Sequence, residues 1–262
     1  MLEVLSFLLI GCFAGILAGL LGLGGGLVIV PLLVVILSLQ DFPADQVMRV
    51  AVATSLGTIM LTALSSAYAH HRQDAIQWSV VFRLGAGLLL GAFCSTYLVD
   101  LFHQGILKAL FVCFELFVAY QLYAGLKAKP NRALPSTFPL IGAGGAFGVM
   151  SGLIGIGGGT LVVPFLVWCQ VGIRQAVAIS SACGFFIALG AIVGFAFFVQ
   201  PDATLPEGSL GYLYMPALIL IGIASVLTAP LGARIAHNIS TEKLRKLFSL
   251  VLVVMVIMLL LA

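Results

Sequence analysis

Two runs of three glycines interrupt otherwise apolar sequence: Gly24-Gly25-Gly26 and Gly157-Gly158-Gly159. Each glycine costs a helix about 1 kcal/mol relative to alanine, so three in succession mark a place where a helix is meant to break. A break frees backbone N–H groups and lets the chain approach a ligand closely. A helix that starts just beyond it points its positive dipole end and its unpaired N–H groups back at the gap. That arrangement binds an anion without a buried lysine or arginine. The competing reading is close helix packing through small residues, which fits the four-residue spacing of Gly15 with Gly19 and of Gly148 with Gly152. Four hydroxyls stand in two pairs, Thr54-Ser55 and Ser180-Ser181. They could donate to oxyanion oxygens, or instead bond carbonyls one turn back in their own helices. Glu115, within LFVCFELFVAY, is the one acidic residue in the middle of an apolar segment. An ionisable group at membrane depth is costly and is a functional candidate by default; here it would suit proton coupling, or serve as a protonated helix contact.

These residues belong to a duplicated framework. Residues 15–33, GILAGLLGLGGGLVIVPLL, match residues 148–166, GVMSGLIGIGGGTLVVPFL, at ten of nineteen positions, including six glycines and the aligned prolines Pro31 and Pro164. Farther on, VAVATSL (50–56) parallels AVAISSA (176–182), which pairs Thr54-Ser55 with Ser180-Ser181, and LKALF (107–111) parallels LRKLF (244–248). The halves are 1–126 and 138–262, joined by the polar, basic, proline-containing linker 127–137. Each half divides into five apolar segments: about 2–22, 26–39, 47–69, 78–99 and 105–126, then about 138–156, 159–171, 175–199, 212–235 and 243–262. The second segment of each half starts at its glycine triplet and is too short for an upright crossing of ~30 Å of hydrocarbon. It reads as a half-helix or the return arm of a re-entrant hairpin, tolerated at membrane depth only where it is buried or lines a cavity.

Composition sets the class. Of 262 residues, 62% are hydrophobic and 8% charged, with mean hydropathy +1.22. A soluble domain carries about 25% charged residues, so this chain cannot cover a water-facing surface. The net charge of +3 is small and its basic residues sit in loops and not in a run, so no nucleic-acid partner is implied. The five cysteines are scattered through apolar runs with no metal or redox spacing. The N-terminus lacks a basic region and a small-residue cleavage site, so it reads as a retained first helix. Basic loop residues mark the cytoplasmic side: Arg72, then Lys127, Lys129 and Arg132, then Arg234, Lys243, Arg245 and Lys246. Five crossings per half put all of these on one side, with the linker cytoplasmic and both termini outside. An odd number also inverts the second half relative to the first. His70 and His71 read as an interfacial cluster, and Trp78, Tyr97, Tyr212 and Tyr214 as interface-belt residues.

The repeated G-x-x-G-x-GGG-x-x-x-x-P element resembles the sulfite exporter TauE/SafE family of membrane permeases. The stretch GSLGYLYMPALILIGIASVLTAPLGARIAHNIS (208–240) is similar to the C-terminal region of that family. The resemblance spans essentially the whole chain. It implies a plasma-membrane permease that exports small, often sulfur-containing oxyanions such as sulfite or organosulfonates.

No metalloprotease motif, nucleophile–base pair or nucleotide loop is present, and GLGGGL lacks the preceding strand and later acidic residue of a dinucleotide site. The expectation is therefore an all-α integral membrane protein, a polytopic bundle of two inverted repeats, and not an enzyme. Its function would be secondary-active transport of a small anion by alternating access. An anion channel and a non-transporting sensor or scaffold are the alternatives. The substrate would sit between the two breaks, at Gly24, Gly25, Gly26, Gly157, Gly158 and Gly159, with Thr54, Ser55, Ser180 and Ser181 as further donors. The implied partners are that anion, the lipid bilayer and, through Glu115, a proton; an oligomer is compatible. No cofactor or metal is called for.

Overall fold

The computed structural model describes residues 2–21, 25–40, 42–124, 133–198, 205, 208–236 and 241–262. Ten helices carry nearly all of them: α1 (Leu2–Leu21), α2 (Gly26–Leu39), α3 (Val47–His71), α4 (Trp78–Leu101), α5 (Gln104–Tyr123), α6 (Thr137–Ile154), α7 (Gly159–Trp168), α8 (Ile173–Phe198), α9 (Met215–Ala236) and α10 (Thr241–Leu261). Eight are long and apolar enough to cross a membrane, and α2 and α7 are the short apolar pair. The two short helices begin one residue after their cap glycines, Gly25 and Gly158, as the triplets require. Of the expected linker, 127–132 lie outside the described residues, as does Gly24.

Small residues set how the long helices meet. Along α1 and α9, Gly11 abuts Ile221 and Ala224, Gly15 abuts Ser225 and Thr228, and Gly232 abuts Ile16. The numbers rise together, so the two helices run in the same direction. Along α4 and α6, Gly87 abuts Ile141, Gly91 abuts Gly145, Gly148 abuts Leu88 and Gly152 abuts Ser95; these also run parallel. Helix α8 lies on the other side of α4, with Gly190 against Leu89 and Gly194 against Thr96. A Cβ at most of these positions would strike the neighbouring backbone, which is the packing reading expected for Gly15, Gly148 and Gly152. Hydroxyls add to the α1–α9 seam: Ser225 donates to the Gly11 carbonyl at 2.9 Å and Thr228 to that of Cys12 at 3.2 Å. Helices α5 and α10 form a separate pair at the edge, where Ser249 donates to the Ala119 carbonyl at 2.9 Å.

The described chain also contains one small β-hairpin, which 199–214 did not announce as a sequence. Strand β1 (Ser209–Leu210) pairs antiparallel with β2 (Leu213–Tyr214), Ser209 opposite Tyr214 and Leu210 opposite Leu213. Gly211, at φ 58°, supplies the positive torsion that a two-residue hairpin loop needs. The hairpin tucks into one end of the bundle, beside the start of α3 and the end of α4. Tyr212 and Tyr214 are only 5% and 8% exposed, so they are core residues and not the interface-belt residues that their position near a segment end suggested. Trp78 and Tyr97 are exposed, as belt residues would be.

Candidate anion site at the glycine breaks

The two breaks meet at the centre of the bundle. A methyl added to Gly26 would fall 2.6 Å from the Gly155 carbonyl oxygen and 2.9 Å from Ile156 Cα. This contact is backbone on backbone between the two halves, and only glycine permits it. Helix α6 ends in Gly155, a left-handed cap at φ 79° whose N–H returns to the Ser151 carbonyl at 2.9 Å. Ser55 clamps the junction from α3 by donating to the Gly155 carbonyl at 2.8 Å.

Above this junction lies a cavity of about 580 Å³, within the usual range for small-molecule sites. Its floor is Gly25 and Gly157–Gly159; its walls come from α1, α3, α8 and α9; its mouth carries His70 and Gln73 at the end of α3. His70, expected in an interfacial cluster, lines this mouth. Among the described lining residues there is no lysine or arginine. The polar groups are hydroxyls and amides, including Thr62, Ser66, Ser180, Ser181 and Ser225, against walls such as Ala14, Ile59 and Val177.

Both short helices present their N-termini at the floor. Their caps are glycines and make no side-chain bond; the Val28 and Leu161 N–H groups turn back to the Gly25 and Gly158 carbonyls, and those of Gly26, Leu27, Gly159 and Thr160, which have no acceptor within the helix, are left for a ligand or solvent. Gly25 and Gly158 have helical torsions, φ −74° and −62°. They are not demanded by backbone geometry. Space does not demand them as strictly as at Gly26 either: a methyl at Gly158 would make ordinary contacts of 3.4 Å with Ile187, Val162 and Ser180 Oγ. Ser180 is 2% exposed and its hydroxyl has no partner among the described residues. An orphan hydroxyl is therefore buried beside a bare helix N-terminus, where an unmade hydrogen bond is costly.

The other expected residues are placed differently. Ser181 also lines the cavity, with its hydroxyl donating to the Val177 carbonyl at 3.0 Å. Thr54 and Ser55 are fully buried beneath the floor and already bonded: Thr54 Oγ1 accepts the Tyr214 N–H at 3.0 Å, and Ser55 holds Gly155. Glu115 is 0% exposed on the inward face of α5, outside the cavity, and neither carboxylate oxygen has a partner among the described residues.

A cluster that sequence reasoning did not single out closes the opposite end. Arg49, one residue before VAVATSL, donates to the carbonyls of Val99 (3.2 Å), Asp100 (2.9 Å) and Phe102 (3.0 Å), where α4 runs out of N–H partners. Its remaining nitrogen reaches the Tyr212 hydroxyl at 3.4 Å, and that hydroxyl donates to Asp100 Oδ1 at 2.9 Å. Burial, then the bond to Asp100, pushes the Tyr212 hydroxyl up to about 12, so it remains a protonated donor through neutral pH. The only signal in the sequence was an arginine at the threshold of an apolar segment.

The model of the family described as "Sulfite exporter TauE/SafE" matches residues 7–259. Among curated relatives, a "Probable membrane transporter protein" of Haemophilus influenzae is 36% identical over 97% of both chains. A protein of the same description from Methanocaldococcus jannaschii is 30% identical over 95% of this chain and 92% of its own length. Another, YunE of Bacillus subtilis, is 28% identical over 96% and 95%. No solved structure matches the chain.

Proposed function

The chain belongs to the sulfite exporter TauE/SafE family of membrane transporters, and on that premise we propose that it is a secondary-active exporter of a small sulfur-containing oxyanion, such as sulfite or an organosulfonate. The carrying observation is the unpartnered, buried Ser180 hydroxyl beside the Gly158 cap on the cavity floor. The anion would take N–H groups from the starts of α2 and α7 and hydroxyls from Ser180 and Ser181. Gly24 would complete the first triplet's share. Thr54 and Ser55 would contribute to the same site when the halves rearrange. The absence of a fixed cation among the described lining residues suits an ion that must be released as well as bound.

Alternating access by an inverted five-plus-five repeat is supported by helix direction. Helix α1 runs parallel to α9, and its sequence counterpart α6 runs parallel to α4. Each half's first helix thus packs on the other half's fourth. Helix α9 also runs parallel to α3, with Gly57 against Leu218 and Gly222 against Leu61, and α4 runs back along α3, with Arg49 at Val99 and His71 at Trp78, so α1 and α6 run in opposite directions. An inverted repeat in which the two halves rock about the breaks would produce both features. Among the described residues the cavity runs from the breaks to His70 and Gln73 at the end of α3, which favours a carrier over a channel. The protein would sit in the plasma membrane with the 127–137 linker cytoplasmic and both termini outside. Glu115 is the candidate for carrying a coupled proton.

In proteoliposomes, sulfite or sulfonate flux should saturate and show counter-exchange, with competition among sulfur oxyanions. Unitary currents without saturation would make the protein a channel; anion binding without flux would make it a sensor.

A further inference from the structure

We infer that the β1–β2 hairpin is the gate over the closed end of the transport path, held shut by Arg49 and Tyr212 and tied to the binding level through the Tyr214–Thr54 hydrogen bond. This rests on the alternating-access reading given above.

The hairpin lies where such a gate must be. Between the cavity floor and the far end of the bundle, the space beside α3 is filled by Tyr212, Leu213 and Tyr214, all buried. Leu213 borders the notch left by Gly57 on α3, which Leu218 of α9 enters. The Tyr212 ring stands edge-on to Phe195 of α8 and under the Arg49 guanidinium, 5.9 Å from its centroid. The Tyr214 ring meets Phe7 of α1 and Phe42 edge-on at 5.9 and 5.2 Å. One six-residue element thus touches α1, α3 and α8, three of the four helices that wall the cavity on its other side.

It is also the element best able to move. The neighbouring α1, α3 and α8 are long helices, whereas the hairpin has two residue pairs and glycines of positive φ at Gly208 and Gly211. Its outer anchor is a set of side-chain bonds that can break together: Arg49 to Tyr212, and Tyr212 to Asp100. The loop before α4, in the matching position of the first half, is the contrast. Residues 71–74 there are exposed and the mouth beside them is open.

The inner anchor gives the coupling. Thr54 is the repeat counterpart of Ser180. One hydroxyl is occupied by the hairpin and the other has no partner among the described residues at the cavity. Withdrawing the hairpin would release Thr54 toward the breaks, so a substrate ligand would appear as the path opens on that side.

The test uses the full chain in proteoliposomes, with the native cysteines replaced and Thr62→Cys as a cavity reporter, labelled from either face with a membrane-impermeant thiol reagent. The reporter should label chiefly from the mouth face. Tyr212→Phe should raise labelling from the hairpin face about ten-fold, as loss of bonds to charged partners predicts. Joining Asp100→Cys to Tyr212→Cys with a reducible bifunctional thiol reagent should stop sulfite flux, keep mouth-face labelling, and be reversed by reduction. Unchanged hairpin-face labelling in Tyr212→Phe, or flux through the cross-linked protein, overturns the gate. If sulfite switches the labelled face in the parent while both manipulations are silent, the gate alone falls. If the parent reporter labels equally from both faces whatever is added, alternating access falls and takes the gate with it.

Discussion

The two hydroxyl pairs are equivalent in sequence and different in structure. Thr54-Ser55 lie beneath the junction of the breaks, bonded to Tyr214 and Gly155. Ser180-Ser181 lie on the cavity wall, and Ser180 has no partner among the described residues. The glycine triplets divide by position and not by copy: Gly26 is needed so that two backbones can touch, whereas Gly25 and its counterpart Gly158 both cap helices on the cavity floor, and at Gly158 an alanine would fit. A duplicated motif therefore does not mean duplicated work at any one moment. One hydroxyl pair is engaged in closing the structure and the other faces the open path.

The comparison is broken most forcefully at Gly26. Gly26→Ala would push a methyl into backbone, which gives way poorly, and should destabilise by about 1–3 kcal/mol. Gly157→Ala, whose methyl would come no nearer than 3.7 Å to Ile59, should leave thermal stability close to the parent value. Thermal unfolding in detergent reads the difference, and equal losses would erase the distinction between the backbone contact at Gly26 and the cavity floor at Gly157.

The hydroxyls come next. Ser180→Ala should weaken sulfite binding up to about ten-fold, one bond to a charged ligand, while leaving stability unchanged or slightly improved because a buried orphan is removed. Thr54→Val should do the reverse, leaving the Tyr214 N–H unpaired and costing about 1–3 kcal/mol of stability. Binding isotherms and melting curves on the same samples decide. Ser180→Ala protein that binds normally would return Ser180 to a packing role.

The smallest expected effect on binding is at Glu115. Glu115→Gln should leave sulfite affinity and exchange intact, because the carboxyl stands outside the cavity, and should remove flux driven by a pH gradient. Unchanged pH-driven flux would make Glu115 a structural residue.

Much of this arrangement could be read in advance. The apolar runs located the helices, and α2 begins and ends where its pattern does, at 26 and 39. The triplets located the breaks, because three glycines in hydrocarbon have few other uses. What stayed hidden depended on partners far away in sequence. Thr54 is engaged by a residue 160 positions on and Ser55 by one 100 positions on, and no local pattern could say which hydroxyls would be left free. The hairpin was hidden because two-residue strands carry no periodicity and tyrosines near an apolar segment imitate an interface belt. Arg49 was hidden because an arginine at a helix start looks like an ordinary interfacial charge until the end of α4 is seen beside it.

The central claim is that an anion binds at bare helix starts, and Gly158→Ala examines it most directly. The substitution suits the helical torsions at that position and fits the available space, yet it places a methyl beside the Ser180 hydroxyl and the open N–H groups. Sulfite affinity and melting temperature should be measured on the parent and Gly158→Ala proteins, purified side by side. The account predicts an affinity loss of about ten- to a hundred-fold with the melting temperature held or raised. Normal affinity in a well-folded Gly158→Ala protein would contradict it and move the search for the anion away from the breaks.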